Sequence, residues 1–391
     1  MFAVFTAARK ALTRGSAALA VLALAACDPV AITAGGGGPR VDTSQPVRVA
    51  LLVPRSDSGA GAIARSLENA ARLAIAELGG VQIDLQVYDT AGQAARAAQQ
   101  AQTAVDNGAQ IILGPLFGEA ANAAALAVAD EGINVLSFSN NATIAGGNLF
   151  VLGSTFQNTA SRLVRYGTRQ NVDDIAVLYQ NTTGGALGNQ AITQAAARGG
   201  ARIVASEPYN LNTESLTSAL ARIAGPVTSG QADALFLTDT WDGGLSVVLQ
   251  LGPEQGLTPS AVQYMGLSRW DSRTDGFNLP GIEGAWFTVP DRSTQAGFES
   301  RYRAAYGAAP HALAGLAFDG INAVGSLIRQ GRSDALTGRA LTQGSGFQGA
   351  GGVFRLLADG SNERALAIAT IRNQQVVILD PAPRAFGGAG F

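Results

Sequence analysis

The sequence predicts an α/β protein of two lobes, each a three-layer domain with its own parallel sheet. Three observations predict it. From Val47 onward, short apolar runs alternate with segments of helical period. The alternation restarts after residue 169 as a second series. At 391 residues the chain is also long enough to bury two cores.

VRVALLVP (47–54) has the unbroken apolar character of a buried parallel strand. In the stretch after it, Ile63, Leu67, Ala70 and Ala74 share one helical face, and Gly79-Gly80 reads as the stop. IDLQVYD (83–89) is a second strand, and the alanine-rich 93–107 a helix ending at Asn107-Gly108. AQIILGP (109–115), a helix through 118–131 and INVLSFS (133–139) complete the first series. Strand–helix steps in succession imply a parallel sheet with helices on both faces.

The second series is DIAVLYQN (174–181), a helix across 188–198, ARIVASEPY (201–209), a helix near 214–224 and ADALFLTD (232–239). VQYMGLSRW (262–270) and IEGAWFTVP (282–290) add strands. A helix pair at 296–306 and 311–329 follows, and short strands end the fold, with Asp359-Gly360 as a hairpin turn.

Ahead of all this, Arg9, Lys10 and Arg14 precede an apolar run from Ala17 to Ala26, with no acidic residue before Asp28. A basic leader, a short apolar core and small residues before a break read as a secretory signal over 1–26. The run is shorter than the roughly 20 residues a membrane span takes. Leu24-Ala25-Ala26-Cys27 looks like a bacterial lipobox, which makes Cys27, the single cysteine, the expected lipidation site. Stable anchoring needs more than one acyl chain, and mature bacterial lipoproteins carry several. Residues 27–46, polar and glycine-rich, read as a flexible tether and 381–391 as a tail.

Loss of the leader removes three cations and no anion, so the formal net charge moves from −2 to −5. Arginines scattered over a mildly acidic chain leave no footprint for nucleic acid. His311 is the sole histidine, so a histidine metal cluster is excluded and any histidine triad would have to use it. Placed after Pro310 at a helix start, it reads as structural, and no enzyme activity, metal or cofactor is expected. GSGFQG (344–349) matches G-x-G-x-x-G in letters only, because strands follow it where a helix should; it reads as a loop.

Four stretches carry a family resemblance: ALLVPRSDSGAGAIARSLENAARLA with Pro54 and Gly61, QVYDTAG (86–92), IILGPLFGEAANAAALAVADEGINVLSFSNN (111–141), and YGAAPHALAGLAFDG (306–320) ahead of FQGAGGVFRLLADG (347–360). In that order they resemble the type 1 periplasmic binding proteins, the class of the branched-chain amino acid receptors of ABC transporters. Within it the chain is most similar to lipoproteins of the penicillin-binding protein activator type. The resemblance implies two lobes joined by three crossovers and closing on a cleft. Lobe 1 would hold 47–157 plus 297–332, and lobe 2 would hold 158–296 plus 333–380.

Open parallel sheets bind ligands beyond the carboxyl ends of their strands. The cleft candidates are therefore the residues at those ends. Arg55 and Ser56 follow the first strand, at a helix start that suits a carboxylate or needs a simple cap. After the third strand, receptors of the family usually place a serine or threonine; this chain has Leu116, Phe117, Gly118 and Glu119, leaving Phe117 as a wall and the Gly118 amide as a donor. Ser137, Phe138, Ser139 and Asn140 end the next strand and suit either a hydrogen-bonded solute or a self-satisfied turn. In lobe 2 the candidates are Tyr179, Asn181, Asp239, Trp241, Arg269 and Trp270. An aspartate beside a tryptophan suits an ammonium group or a sugar ring, and an aspartate is also a common cap.

Two functions fit. The first is a non-enzymatic periplasmic lipoprotein of cell-wall synthesis, with a peptidoglycan synthase (a penicillin-binding protein) as partner. The second is a substrate-binding receptor that takes an amino acid, peptide or other small polar ligand to an ABC permease. Both place the protein in the periplasm, lipid-anchored at the inner or outer membrane. The changed residues at 116–119 favour the first.

Overall fold

The computed structural model of the protein describes residues 38–387; Cys27 and the leader lie outside the described residues. The first sheet has the order β2-β1-β3-β4-β5, with every pairing parallel. Its strands are β1 (Val47–Val53), β2 (Ile83–Asp89), β3 (Ile111–Leu113), β4 (Val135–Ser137) and β5 (Leu149–Val151). Helices α1 (Gly61–Glu77), α2 (Ala94–Asp106) and α3 (Gly118–Ala127) connect the first four. Alternation along β1 sorts its side chains between two cores. Leu51 and Val53 face α1, whereas Ala50 and Leu52 face α2 and α3. Ala97, Ala101 and Ala104 on α2, and Ala120, Ala121, Ala124 and Ala125 on α3, keep that second layer thin.

A short crossing segment leads from β5 into α4 (Phe156–Arg169) and the second lobe. Thr155 and Asn158 form a reciprocal capping box at its start. The chain continues through β6 (Asp174–Gln180), α5 (Thr183–Gly199), β7 (Arg202–Tyr209), α6 (Thr213–Thr228), β8 (Ala234–Leu237), α7 (Leu245–Glu254), β9 (Gln263–Gly266) and β10 (Trp286–Val289). The outer face of this sheet packs Ile175 and Val177 against α4 and α5; the other packs Ala176 and Leu178 against α6 and α7.

After β10 the chain returns to the first lobe as α8 (Arg292–Tyr306) and α9 (Ala314–Ile328), whose Phe298, Phe318, Ile321 and Val324 join the α1 core. A short helix, α10 (Gly338–Leu341), precedes a small antiparallel sheet of β11 (Phe347–Gly349), β12 (Gly352–Leu356) and β13 (Asn362–Arg364). Two antiparallel strands, β14 (Ala367–Arg372) and β15 (Gln375–Asp380), then complete the second sheet, whose order is β15-β14-β10-β9-β8-β6-β7.

Three expectations are corrected here. The segment 333–380 does not belong wholly to lobe 2: Leu336, Leu341, Phe347 and Phe354 lie in the first core. Its β12 straddles the joint, because Val353 points into the second core and the next residue, Phe354, into the first. The described part of the tether is docked rather than free, since Val41 is an apolar side chain with a place in the first core and its N–H donates to Ser333 O (2.9 Å). GSGFQG is a loop only in its first half; Phe347–Gly349 pairs with β12.

The joint is polar and buried. Asn362 Nδ2 donates to Val151 O (2.7 Å) and Gly153 O (2.9 Å), and Asn158 Nδ2 donates to Asn362 O (2.8 Å). Arg364 Nε donates to Leu152 O (2.8 Å), and Asp291 N to Gly351 O (2.9 Å). All three crossing segments are thereby tied together, which sets the strand ends of the lobes beside one joint.

Candidate functional site

The strand ends of lobe 1 converge. A carbon added at Gly92, after β2, would stand 2.9 Å from Asp57 Oδ2, after β1, and 3.2 Å from the Phe117 ring, after β3. One added at Gly118 would stand 3.5 Å from Ser139 Oγ, after β4. Phe117 is 41% exposed. It is also the N-cap of α3 and supplies no side-chain acceptor, so the first amides of that helix have no cap. Ser139 Oγ accepts from Asn141 N (3.1 Å), which leaves its hydroxyl hydrogen to donate. Free amides, a hydroxyl and an exposed ring thus meet at one corner.

The other lobe-1 candidates are engaged. Arg55 Nη2 lies 3.3 Å from Glu68 Oε2. Ser56 Oγ donates to Asp89 Oδ2 (2.7 Å) and its N–H to Asp89 Oδ1 (3.1 Å). Burial works to raise the Asp89 carboxyl, but the Ser56 hydroxyl, the Ala91 and Ser56 amides and Arg96 together hold it below the usual carboxylate range. Ser137 and Phe138 are corrections: both are buried, the first donating to Pro115 O (3.0 Å), the second in the α1 core. Alternation carries Phe138 into the α1 core beside Leu136 and turns Ser137 to the opposite face with Val135. Asn140 is exposed and borders a different concavity.

In lobe 2 the strand ends gather around Asp239, which is 2% exposed. Its Oδ1 accepts from the Tyr209 hydroxyl, at the end of β7, and from Gln180 Nε2 (3.0 Å), at the end of β6. Ser268 Oγ, after β9, donates to Asp239 O (2.7 Å). Asp239 Oδ2 is buried with no partner. Burial pushes the Asp239 carboxyl up, against the lowering effect of the Tyr209 and Gln180 hydrogen bonds. Burial raises the Tyr209 hydroxyl as well, with the neighbouring carboxylate second.

Trp241 is nearly buried; its Nε1 donates to Trp270 O (3.2 Å) and Arg273 stands 5.9 Å from the ring centroid. Trp270 is a further correction: it is fully buried in the second core and stacks on Phe287 at 6.4 Å between centroids, because Gly266 leaves room for its ring. Arg269 is exposed and clamped to Asp271 through two contacts of 2.7 and 2.8 Å. Tyr179 packs at the margin of the outer core, and exposed Asn181 donates to Asn210 Oδ1 (3.2 Å). Tyr209 was absent from the sequence-based set, although its place as the last residue of a parallel strand is the same signal that selected the others.

His311 serves the start of α9: its N–H donates to Ser66 Oγ (2.8 Å) and its Nδ1 accepts from Leu313 N (3.2 Å). Among the described residues, Asp173, Asp174 and Asp233 form one tight carboxylate group. It lies at the amino ends of β6 and β8, away from the cleft, and is already employed: Asp233 accepts from the Asp173 and Asp174 amides (3.1 and 3.0 Å), and Asp174 pairs with Arg202 (2.6 Å).

Two α/β lobes, each with its own sheet, joined by three crossing segments define a two-lobed fold. A family model described as periplasmic binding protein matches residues 46–375. The chain belongs to the periplasmic binding protein family. No curated protein matches it at a significant level. Among solved structures, a putative branched-chain amino acid ABC transporter protein of Rhodospirillum rubrum superimposes with a TM-score of 0.73 at 19% identity, covering 86% of this chain and 100% of its own. A branched-chain amino acid transporter substrate-binding protein of Streptococcus pneumoniae, in complex with isoleucine, gives 0.56 at 17%, covering 87% and 100%. A solute-binding protein of R. palustris in complex with benzoate gives 0.54 at 16%, covering 89% and 99%. At such identities the likeness is one of fold. The family places the chain outside the cytoplasm, and among the described residues no helix is long and apolar enough to cross a membrane.

Proposed function

We propose that the protein is a solute receptor of the ABC-transporter type, tethered by lipid at Cys27, which closes its lobes on a small carboxylate-bearing solute and presents it to a permease. The observation that carries this is the uncapped start of α3 beside Ser139 and the exposed Phe117. Free helix-start amides attract an anion, and an aromatic wall suits the apolar part of the same molecule. The fold neighbours in complex with isoleucine and benzoate, each pairing a carboxylate with an apolar body, support the same solute class.

Calorimetric titration with aliphatic amino acids, aromatic acids and short peptides tests the reading. Micromolar binding of one carboxylate, lost when its carboxylate is replaced by an amide, is the expected result. No binding across the panel, with retention of a peptidoglycan synthase in a pull-down, would overturn it in favour of the cell-wall reading, which the relatives named above do not support. For the anchor, a Cys27→Ala protein should leave the membrane fraction; its full retention there would remove the lipid from the proposal.

A further inference from the structure

Next to the strand-end cleft, a concavity of about 650 Å³ opens on the flank of the joint, with Asn141 lining it and its N–H donating to Ser139 Oγ on the cleft side. That size lies within the range of small-molecule pockets. One wall is the paired faces of α4 and α5; the other is the loop after β4 and the turn between β12 and β13. Of the cleft candidates only Asn140 borders it.

Its charge is lopsided. Arg162, Arg165 and Arg198 line it from α4 and α5, with Gln190 and Gln194 between them. Arg162 is 3% exposed; its Nε donates to Leu366 O (2.7 Å), its Nη2 meets Asp380 Oδ2 (2.9 Å), and its Nη1 is buried with no partner. Half-buried Arg165 donates only to Ser161 O (3.3 Å), and neither it nor exposed Arg198 has an ion pair among the described residues. Of the carboxylates on the rim, Glu363 lies 2.7 Å from Arg355 Nε and acts on Arg165 only from beyond ion-pair distance, and Asp359 accepts from Ser361 N (2.9 Å). A buried guanidinium N–H without an acceptor is costly, since desolvation is not offset. Two further cations without ion pairs beside it form a forked donor set suited to oxyanions.

We infer that this concavity is a second ligand site, taking a small multiply charged oxyanion held by Arg162, Arg165 and Arg198, with the Gln190 and Gln194 carboxamides for its neutral part. Phosphate and clustered carboxylates share that chemistry. A ligand there would touch both lobes, because α4 and α5 belong to the second and the loop after β4 to the first.

The test is calorimetric titration of the full chain with inorganic phosphate, sulfate and citrate in turn, at ionic strength held constant with sodium chloride. Saturable binding of at least one is expected. It should weaken at least tenfold in an Arg165→Gln/Arg198→Gln protein and severalfold in Arg198→Gln alone, an exposed site whose change leaves the melting temperature unmoved. Phosphate and sulfate without citrate would assign a phosphate-type ligand; citrate alone would assign a polycarboxylate. Gly118→Pro, in the strand-end cleft, should leave these affinities unchanged, so failure of the cleft proposal and of this one read out separately. Absence of saturable binding by all three, or binding by the double variant within twofold of the unaltered chain, would overturn the inference. So would loss of binding in Gly118→Pro with retention in the double variant.

Discussion

Asp319 Oδ2 and Arg364 Nη1 stand 2.8 Å apart, a buried ion pair between α9 and the last strand before the chain re-enters the second lobe. The pair is not isolated. Arg364 Nε reaches Leu152 O in the first crossing segment, its guanidinium lies 4.9 Å from the Phe354 ring centroid, and Asp319 Oδ1 accepts from Ala350 N (2.6 Å). One carboxylate and one guanidinium therefore fix two crossing segments to the first lobe.

Removing Asp319 leaves the Arg364 guanidinium, with only 11% of its side chain exposed, largely desolvated and without its counter-ion. Asp319→Ala should cost about 3 kcal/mol of unfolding free energy, the magnitude typical of a broken buried pair, read by urea denaturation. Gly349→Ala should act on the same pair without changing any charge, because the added carbon would stand 2.6 Å from Asp319 Oδ1. A loss below about 1 kcal/mol in both would show that the network is not what holds the joint.

The carboxyl of Asp239 gives a pH signature. Burial raises its pKa, so the folded chain holds that proton more tightly than the unfolded one. Its contribution to stability is then greatest below the unfolded value of about 4 and is lost as pH rises through the raised folded value. Asp239→Asn keeps an acceptor for Tyr209 and Gln180 and cannot ionise. Relative to this variant, the unaltered protein should lose stability as the pH is raised above about 4, read by scanning calorimetry. Parallel curves would mean that Asp239 is not perturbed. Asp233, also raised chiefly by burial, titrates in both proteins and cancels in the comparison.

How much of this was legible in the sequence follows from the range of each interaction. The parallel strands from β1 to β10 outside the joint announce themselves through local period, and so does the hairpin turn at Asp359-Gly360. The capping box of Thr155 and Asn158 was also within reach of a local reading, being three residues apart, yet α4 escaped because its polar face masks its period. The joint was not legible. Asn362 bonds residues more than two hundred positions away, and nothing near it in sequence shows that most of the apolar residues of 335–356 pack in the first core. For the proposed site, strand-end position picks out Asp239 and Phe117 together with Ser137, Phe138 and Trp270, and cannot tell that the last three are buried, because what covers them is distant in sequence.

Trp270 shows why. Its ring occupies the space that a side chain on Gly266 would fill, one strand-end residue making room for another. Gly266→Ala should force that ring from its stack on Phe287 and destabilise the fold by about 1–3 kcal/mol through overpacking, with quenched or shifted tryptophan fluorescence. An unchanged spectrum and melting temperature would place the ring elsewhere.

The sharpest test of the cleft uses the backbone at the start of α3. Gly118 is the first helical residue, a position where proline is well tolerated because its missing N–H has no partner within the helix. Phe117 before it is already extended, at φ −88° and ψ 142°, the conformation a following proline imposes. Gly118→Pro should therefore fold with a melting temperature close to that of the unaltered chain while lacking one of the amides offered to a carboxylate. Hydrogen bonds to a charged group are worth about 1.5–3 kcal/mol, so affinity for the solute should fall at least tenfold. Ser139→Ala should weaken it by a smaller factor, since a hydroxyl can be replaced by water where a helix-start amide cannot. If Gly118→Pro binds the solute as tightly as before, the anion does not sit at α3, and the wall formed by Phe117 serves something other than a carboxylate-bearing guest.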